Sequence, residues 1–342
     1  MPQLAAQHAI ASSAKRAMEV IWPGGIPAQA IYAAASLKVA DVLGEETRTV
    51  ADLAQEVGAD GPALARLLRA LVSIGLFCED QGGSFRNSEL SHMLRTDHPE
   101  SVRPWALLMG DPLFWNPTGQ LLHSVMTGVP AFDHLHGEPF FQYTSTHPEA
   151  AALFHRAMAV SSAQTIASIA SVYDFSRFKK VIDVGGGRGA LLTEILTRHP
   201  HVHGVLYDLP HASNAADGLR TGELAVRCEI DSGSFFDRIP SGGDAYILKG
   251  VLHGWQDSEA RRILTNCRSV MQPNATLIVL ETLLDGDPGR AMLDLFMMLL
   301  SKGKERTANE YSDLLFGAGF SVTRIIPTAW QSIIEARPSD TA

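Results

Sequence analysis

The run Asp183-Val184-Gly185-Gly186-Gly187-Arg188-Gly189 lies where one sequence period gives way to another. Before it, Val181 to Val184 is a short apolar, β-branched stretch that reads as a strand. After it, Ala190 to Arg198 carries a helical period. Glycines between a strand and a helix let the chain turn tightly and let a ligand approach without Cβ interference. Gly204 to Tyr207 reads as the next strand, and Asp208 ends it 23 positions after Gly185. An acid at that place can accept hydrogen bonds from ribose hydroxyls. Open parallel sheets bind ligands beyond the carboxyl ends of their strands, where both the turn and Asp208 fall.

Two ligand classes fit the turn. Gly185, Gly187 and Ala190 satisfy G-x-G-x-x-G/A, the dinucleotide pattern. The same residues with Asp183 satisfy D-x-G-x-G-x-G, and an acid beside the turn suits an ammonium group and repels a pyrophosphate. S-adenosylmethionine has an amino-acid end and no phosphate, so it and a nicotinamide dinucleotide both stand at this point.

Working outward, strands keep alternating with helices toward the C-terminus, which implies a parallel sheet with crossovers. Ala225 to Glu229 is read as a third strand, Ala245 to Leu248 as a fourth and Thr276 to Leu280 as a fifth. Amphipathic Ser258 to Met271 and Thr307 to Ala318 are read as helices, and Phe320 to Ile325 and Ser332 to Ala336 as final strands. Toward the N-terminus the pattern is helical. Ala28 to Val42 reads as one helix, Val50 to Val57 as a second, and Pro62 to Ser73 as a third. Leu76 to Glu79 and Ser84 to Asn87 flank a Gln81-Gly82-Gly83 turn as a hairpin. Helix, turn, helix and hairpin spell a winged-helix module. Pro99 to Pro148 is rich in aromatics, Pro and Gly, and Glu149 to Val172 reads as one long helix. The expected organisation is a winged-helix-like domain for packing or subunit contact over 1–100, a helical region over 101–174 that could cover a site, and a cofactor-binding domain over 175–342.

Composition narrows the class. The 342 residues are 46% hydrophobic and 19% charged, which is globular composition. Lys plus Arg number 28 and Asp plus Glu 37, giving a net charge of −9 and a pI near 5.8. That balance argues against nonspecific binding to nucleic acid or anionic membranes. Pro62 to Ser73 carries only Arg66 and Arg69, too little for a DNA-reading helix. Cys78, Cys228 and Cys267 form no paired spacing, so neither a disulfide scaffold nor a cysteine zinc module is expected. No 18-residue apolar run and no secretory leader pattern is present, which fits a cytoplasmic protein. His199, His201 and His203 alternate, but Pro200 breaks their geometry, and Asp183, Asp208 and Asp244 are not clustered as a cation cage. No metal is expected.

Val181 to Ala190, then Leu206-Tyr207-Asp208-Leu209-Pro210, Leu248-Lys249-Gly250-Val251-Leu252-His253-Gly254-Trp255, Gly303-Lys304-Glu305-Arg306-Thr307 and Gly317-Ala318-Gly319-Phe320 follow one another at characteristic spacing. The series resembles the class I S-adenosylmethionine-dependent O-methyltransferases, in the subgroup of plant caffeate-type and bacterial polyketide and antibiotic enzymes. The resemblance covers most of the chain. It implies a Rossmann-like α/β methyltransferase sheet, an N-terminal winged-helix dimerisation domain and a homodimer. It also implies S-adenosyl-L-methionine as methyl donor, S-adenosyl-L-homocysteine as product, and a phenolic or aromatic hydroxyl of a small natural product as acceptor. His253 corresponds to the general base, and Glu281 and Glu305 to the acids that orient it. Imidazole suits the task because its pKa lies near neutrality whereas a phenol's is near ~10. Asp183, Gly185, Gly187, Asp208, Ser234, Phe235, Lys249 and Arg156 fall at cofactor positions. Met158, Phe296, Met297 and Leu300 are expected to line an apolar acceptor pocket, with Trp105 and Met109 contributing.

Three departures bear on specificity. Ser234 stands where the family usually has an acid, Gly254 replaces the Asp after the base, and the loop before Gly303 is one residue shorter and lacks a substrate-binding Asn. Caffeate is therefore not the expected acceptor. The same residues leave rival readings: the fold and cofactor turned to hydroxylation, decarboxylation or rearrangement, N-methylation, a nicotinamide oxidoreductase, or a ligand-responsive DNA-binding regulator.

Overall fold

A computed structural model describes residues 13–213, 216–285 and 288–339. The chain separates into two compact units, one of residues 1–116 and 147–160, the other of 117–146 and 161–342. The segment read as 101–174 is thus shared between them, and the long helix, which runs Pro148–Val172, changes unit after Val160.

In the first unit the Ala28–Val42 pattern is two helices, Ile26–Ser36 and Val39–Leu43. Lys38 separates them with a left-handed φ of 56°, a bend that an apolar period running through the position does not reveal. Helices Val50–Val57 and Gly61–Ser73 follow, their first turns capped by the side chains of Thr49 and Asp60. Strands β1 (Arg48–Thr49), β2 (Phe77–Glu79) and β3 (Ser84–Asn87) form a small antiparallel sheet in the order β1-β3-β2. Val39, Leu43, Leu53, Leu64, Leu68, Leu71, Phe77 and Phe85 fill the core between them. Asn87 secures the hairpin by donating to Ala40 O (2.9 Å) and Gly44 O (2.8 Å). This is the helix–helix–hairpin arrangement expected of a winged helix. Of the two basic residues on its second helix, Arg69 is paired with Glu79 at 3.1 Å.

The second unit is built on seven strands: β4 (Lys180–Val184), β5 (His203–Asp208), β6 (Cys228–Ser232), β7 (Ala245–Lys249), β8 (Thr276–Glu281), β9 (Phe320–Ile326) and β10 (Ser332–Pro338). Their order is β6-β5-β4-β7-β8-β10-β9, with β4 to β8 parallel and β10 antiparallel to both neighbours. Alternation puts Ile182, Val184, Tyr246, Leu248, Leu277 and Val279 on one face, under helices Asp257–Val270 and Ala308–Phe316. Val181, Ala245, Ile247, Ile278 and Leu280 face the other way, against helix Ala190–Arg198 and Ile166 and Ile169. Both faces are covered, which is why these strands read as continuous apolar runs. The third strand is displaced from its expected place. Gly222–Ala225 closes as a helical turn, and pairing of Gly204 with Cys228 starts β6 three residues later. That register is set by the neighbouring strand, not by local preference. The strand order reverses between β4 and β7, so a crevice opens at their carboxyl ends. Among the described residues no helix is long and apolar enough to cross a membrane.

Candidate active site

At the end of β4 the glycine turn takes a shape that side chains resist. Gly185, Gly187 and Gly189 have φ of 72°, 60° and 77°. A methyl on Gly185 would meet Val251 at 2.8 Å and Phe235 at 3.7 Å, whereas Gly187 faces open space. Asp208 at the end of β5 receives the Gly187 N–H at 2.7 Å and the Leu209 N–H at 2.6 Å, which fixes its carboxylate beside the turn. Asp183 is buried, and neither carboxylate oxygen has a hydrogen-bond partner. Burial raises its pKa to about 7, with Lys249 opposing and Asp208 adding to the shift. Lys249, its own pKa lowered by burial, donates to Ser162 at 3.0 Å. The Ser234 hydroxyl is occupied in its own turn, accepting from Phe236 N at 3.2 Å. Phe235 and Phe236 pack edge-on against Trp255, with ring centroids 6.0 and 4.7 Å away. An uncluttered glycine cradle, a ribose-type acid, aromatic walls and a further buried acid fit a cationic adenosyl ligand.

One crossing away, His253 lies on a 3-10 turn, Leu252–Gly254, that follows β7. Glu281 ends β8 fully buried. Its Oε1 accepts from Leu252 N (2.7 Å) and His253 N (3.3 Å), and Oε2 stands 3.8 Å from His253 Nδ1. Glu305 Oε1 is 2.9 Å from the same Nδ1. The expected pair therefore divides its work: Glu305 bonds the ring, while Glu281 anchors the backbone and supplies charge. Burial alone would depress the His253 pKa, but the charge of Glu281 and the bond and charge of Glu305 outweigh it and raise it to about 9. With Nδ1 held, Nε2 is the nitrogen left for chemistry. His253, Glu281 and Glu305 also place one donor atom each within 4.8 Å of one another, the spacing of a potential cation site. A cation on Nδ1 would displace the hydrogen bond that holds the ring. His201, from the histidine run, instead meets Ser176 O at 2.7 Å.

Arg306, which enters the sequence only as part of the Gly303–Thr307 motif, is fully buried. Its guanidinium donates to Leu252 O (3.0 Å), Trp255 O (2.8 Å) and Asp257 Oδ1 (2.8 and 3.0 Å). It thus clasps both ends of the turn that carries His253. The strap before it is equally close: Lys304 N donates to His253 O at 2.8 Å, and a Cβ on Gly303 would sit 2.1 Å from that oxygen. Asp294, which interrupts the apolar run of helix Pro288–Leu300, accepts from Glu305 N at 2.8 Å. On that helix Phe296 and Met297 are half-buried and Leu300 is core. Arg156, Met158, Trp105 and Met109 belong to the first unit, where Arg156 is exposed and the other three are half-buried.

Comparison with known proteins gives the arrangement its context. Residues 119–321 match the O-methyltransferase domain family, and residues 24–97 match the O-methyltransferase dimerisation domain. The chain is 40% identical to a phenazine O-methyltransferase of Lysobacter antibioticus, over 91% of this chain and 92% of that one. It is 38% identical to an 8-amino-8-demethylriboflavin N,N-dimethyltransferase of Streptomyces davaonensis, over 90% of each. Among solved structures it is similar to the O-methyltransferase of neocarzinostatin biosynthesis in complex with S-adenosylmethionine and 2-hydroxy-5-methyl naphthoic acid. That match has a TM-score of 0.78 and 33% identity, covering 91% of this chain and 96% of that one.

Proposed function

The chain belongs to the O-methyltransferase family with an N-terminal dimerisation domain, and from that premise we propose that it methylates a hydroxyl of a small aromatic natural product, as a homodimer, with His253 as general base. S-adenosylmethionine is its methyl donor, and when bound it supplies a methyl carbon activated by a sulfonium. The observation that carries the base assignment is the 2.9 Å contact of His253 Nδ1 with Glu305, backed by the buried Glu281. It fixes the tautomer and leaves Nε2 to take the acceptor's proton.

The step balances simply. As the acceptor oxygen takes the methyl group and the donor is released as a neutral thioether, His253 Nε2 would take the hydroxyl proton. The imidazolium that results is stabilised by the two carboxylates. Gly185, Gly187 and Asp208 would hold the adenosyl part, Phe235 would pack beside it, and Asp183 and Lys249 would set the charge near its amino-acid end. Ser234, already bonded within its own turn, is a weaker substitute for the usual acid. Phe296 and Met297 remain the candidates in this unit for an apolar acceptor wall.

His253→Ala is the deciding variant. Calorimetry should find S-adenosylmethionine binding retained, and mass spectrometry with a panel of phenols should find methylated product reduced by about 10²- to 10⁴-fold. Turnover near the wild-type rate across the pH range would remove the base. Anilines belong in the same panel, because a relative at 38% identity is named for N-methylation. Sedimentation velocity on the intact chain reads the dimer directly.

A further inference from the structure

The turn that follows β6 brings Ser234 and Phe235 to the carboxyl edge of the sheet, and it is held there from behind. Tyr207 on β5 donates to Ser234 O (3.1 Å) and Arg238 O (2.7 Å). Asn266, on helix Asp257–Val270, gives both protons of its carboxamide nitrogen to the same turn, meeting Phe235 O and Phe236 O at 2.9 Å each. Arg262, one helical turn earlier, donates to Phe236 O at 3.0 Å and lies 5.4 Å from the centre of the Phe236 ring. Ser234 O also receives Asp237 N (2.9 Å) and Arg238 N (3.1 Å) inside the turn, whereas Phe235 O and Phe236 O are met from the helix.

The Phe235 ring borders the glycine cradle. A methyl on Gly185 would lie 3.7 Å from Phe235 Cε1, and the ring stands edge-on to Trp255. A carboxylate at position 234 would hold a ligand through a charge-assisted bond, but the Ser234 hydroxyl accepts from Phe236 N at 3.2 Å. The hold on the adenosyl part then falls to contact with the Phe235 ring, and dispersion of this kind fades within a fraction of an ångström. Such a contact needs a backbone that does not drift. Asn266 is half-buried, and by bonding two consecutive carbonyls it fixes two successive peptide planes, the first of which begins at Phe235.

Resting on the reading that Phe235 packs beside the adenosyl part, we propose that Asn266 is a positioning residue for the cofactor. Its carboxamide clasps the carbonyls of Phe235 and Phe236 and so holds the Phe235 ring against the ligand. The helix that covers the sheet thereby supplies, through packing, part of the grip that an acid at position 234 would supply through charge. The effect of Asn266 on the cofactor passes through Phe235.

The test is a double-mutant cycle on the intact protein, with S-adenosylhomocysteine as the calorimetric probe, so that it does not depend on turnover. Phe235→Ala removes the ring and should weaken binding about tenfold, the size of one lost aromatic–base contact. Asn266→Asp keeps the shape but loses the donors, and should also weaken binding about tenfold. Asn266→Ala should do the same without adding a charge. In the Phe235→Ala background either change at position 266 should weaken binding no further, since no ring is left to place. A merely structural role would instead lower the fraction of protein that binds and leave the affinity of the rest unchanged, which would overturn the proposal. So would losses that multiply in the double variants. Weakened binding in Phe235→Ala with none in the Asn266 variants would remove the inference alone. Unchanged binding in Phe235→Ala would remove the placement of Phe235 beside the adenosyl part, and the inference with it.

Discussion

At the residue scale the proposed chemistry turns on one imidazole between two carboxylates. With its pKa near 9, His253 in the free enzyme is largely imidazolium at pH 7. The neutral form that can accept a proton grows tenfold per pH unit until the pH reaches that value. The kcat/KM profile should therefore rise through neutrality and level near pH 9. Glu305→Gln removes a negative charge and a bond that favour the imidazolium, so the limb should move to lower pH, read from kcat/KM between pH 6 and 10. An unmoved limb would mean that the titrating group is another one. The same shift bears on stability. A His whose pKa is raised on folding contributes stability below its unfolded value near ~6.5 and loses it as pH rises through about 9. Asp183 acts in the opposite sense: with its carboxyl raised to about 7 by burial, stability falls as pH rises from its unfolded value near ~3.9 to about 7 and is level above that.

At the element scale, the geometry proposed for catalysis is a matter of two loops held in register. The turn Leu252–Gly254 follows β7, and the strap 303–306 precedes helix Ala308–Phe316. Arg306 joins them through the carbonyls of Leu252 and Trp255, and Gly303 lets the strap lie against His253 O. Gly254 fits this packing: a Cβ on Gly303 would come within 2.9 Å of it. Arg306→Lys keeps the charge but cannot reach both carbonyls at once. It should lower kcat by roughly tenfold or more with S-adenosylmethionine affinity unchanged, because only the aim of His253 suffers. Arg306→Met additionally removes a positive charge that depresses the His253 pKa, so its pH limb should move upward relative to Arg306→Lys. Equal pH profiles in the two variants would reduce Arg306 to a purely structural role.

At the scale of the whole molecule, an ionic knot ties the last strand of the sheet that carries the site to the segment just before β4. Glu335 on β10 is buried and accepts from Tyr173 (2.6 Å) and Arg324 (2.9 Å), with Arg177 also bound to it. Burial pushes its pKa up, but these hydrogen bonds hold it down to about 2. A depressed carboxylate contributes stability above its ordinary range near ~4.3, and that contribution is lost as pH falls toward 2. Glu335→Gln should cost roughly 2–3 kcal/mol at pH 7, since both arginines are partly solvated. It should also flatten the acid limb of the denaturation profile, measured by urea unfolding from pH 7 to 3. An unchanged limb would assign acid sensitivity elsewhere.

Much of this protein is legible in one dimension. The expectation for His253, Glu281 and Glu305 rests on the family that the ordered motifs resemble, whereas the strand–glycine–helix–acid series around Asp183 and Asp208, the parallel strands and the winged-helix order follow from local period. These are properties of neighbours in sequence, whose geometry the backbone itself imposes. The bend at Lys38 and the late start of β6 were not legible, because one is a single dihedral and the other a register chosen by the adjacent strand. Nor was the burial of Arg306 or the support of Asp294. Those side chains come from strap and helix positions 11 to 54 residues from the groups they meet. The sequence by itself determined the kind of sheet and, through the family its motifs resemble, the cofactor. Only the tertiary structure decided how the base is aimed and what stands beside it, because long-range packing sets which distant side chains share a few ångströms of space.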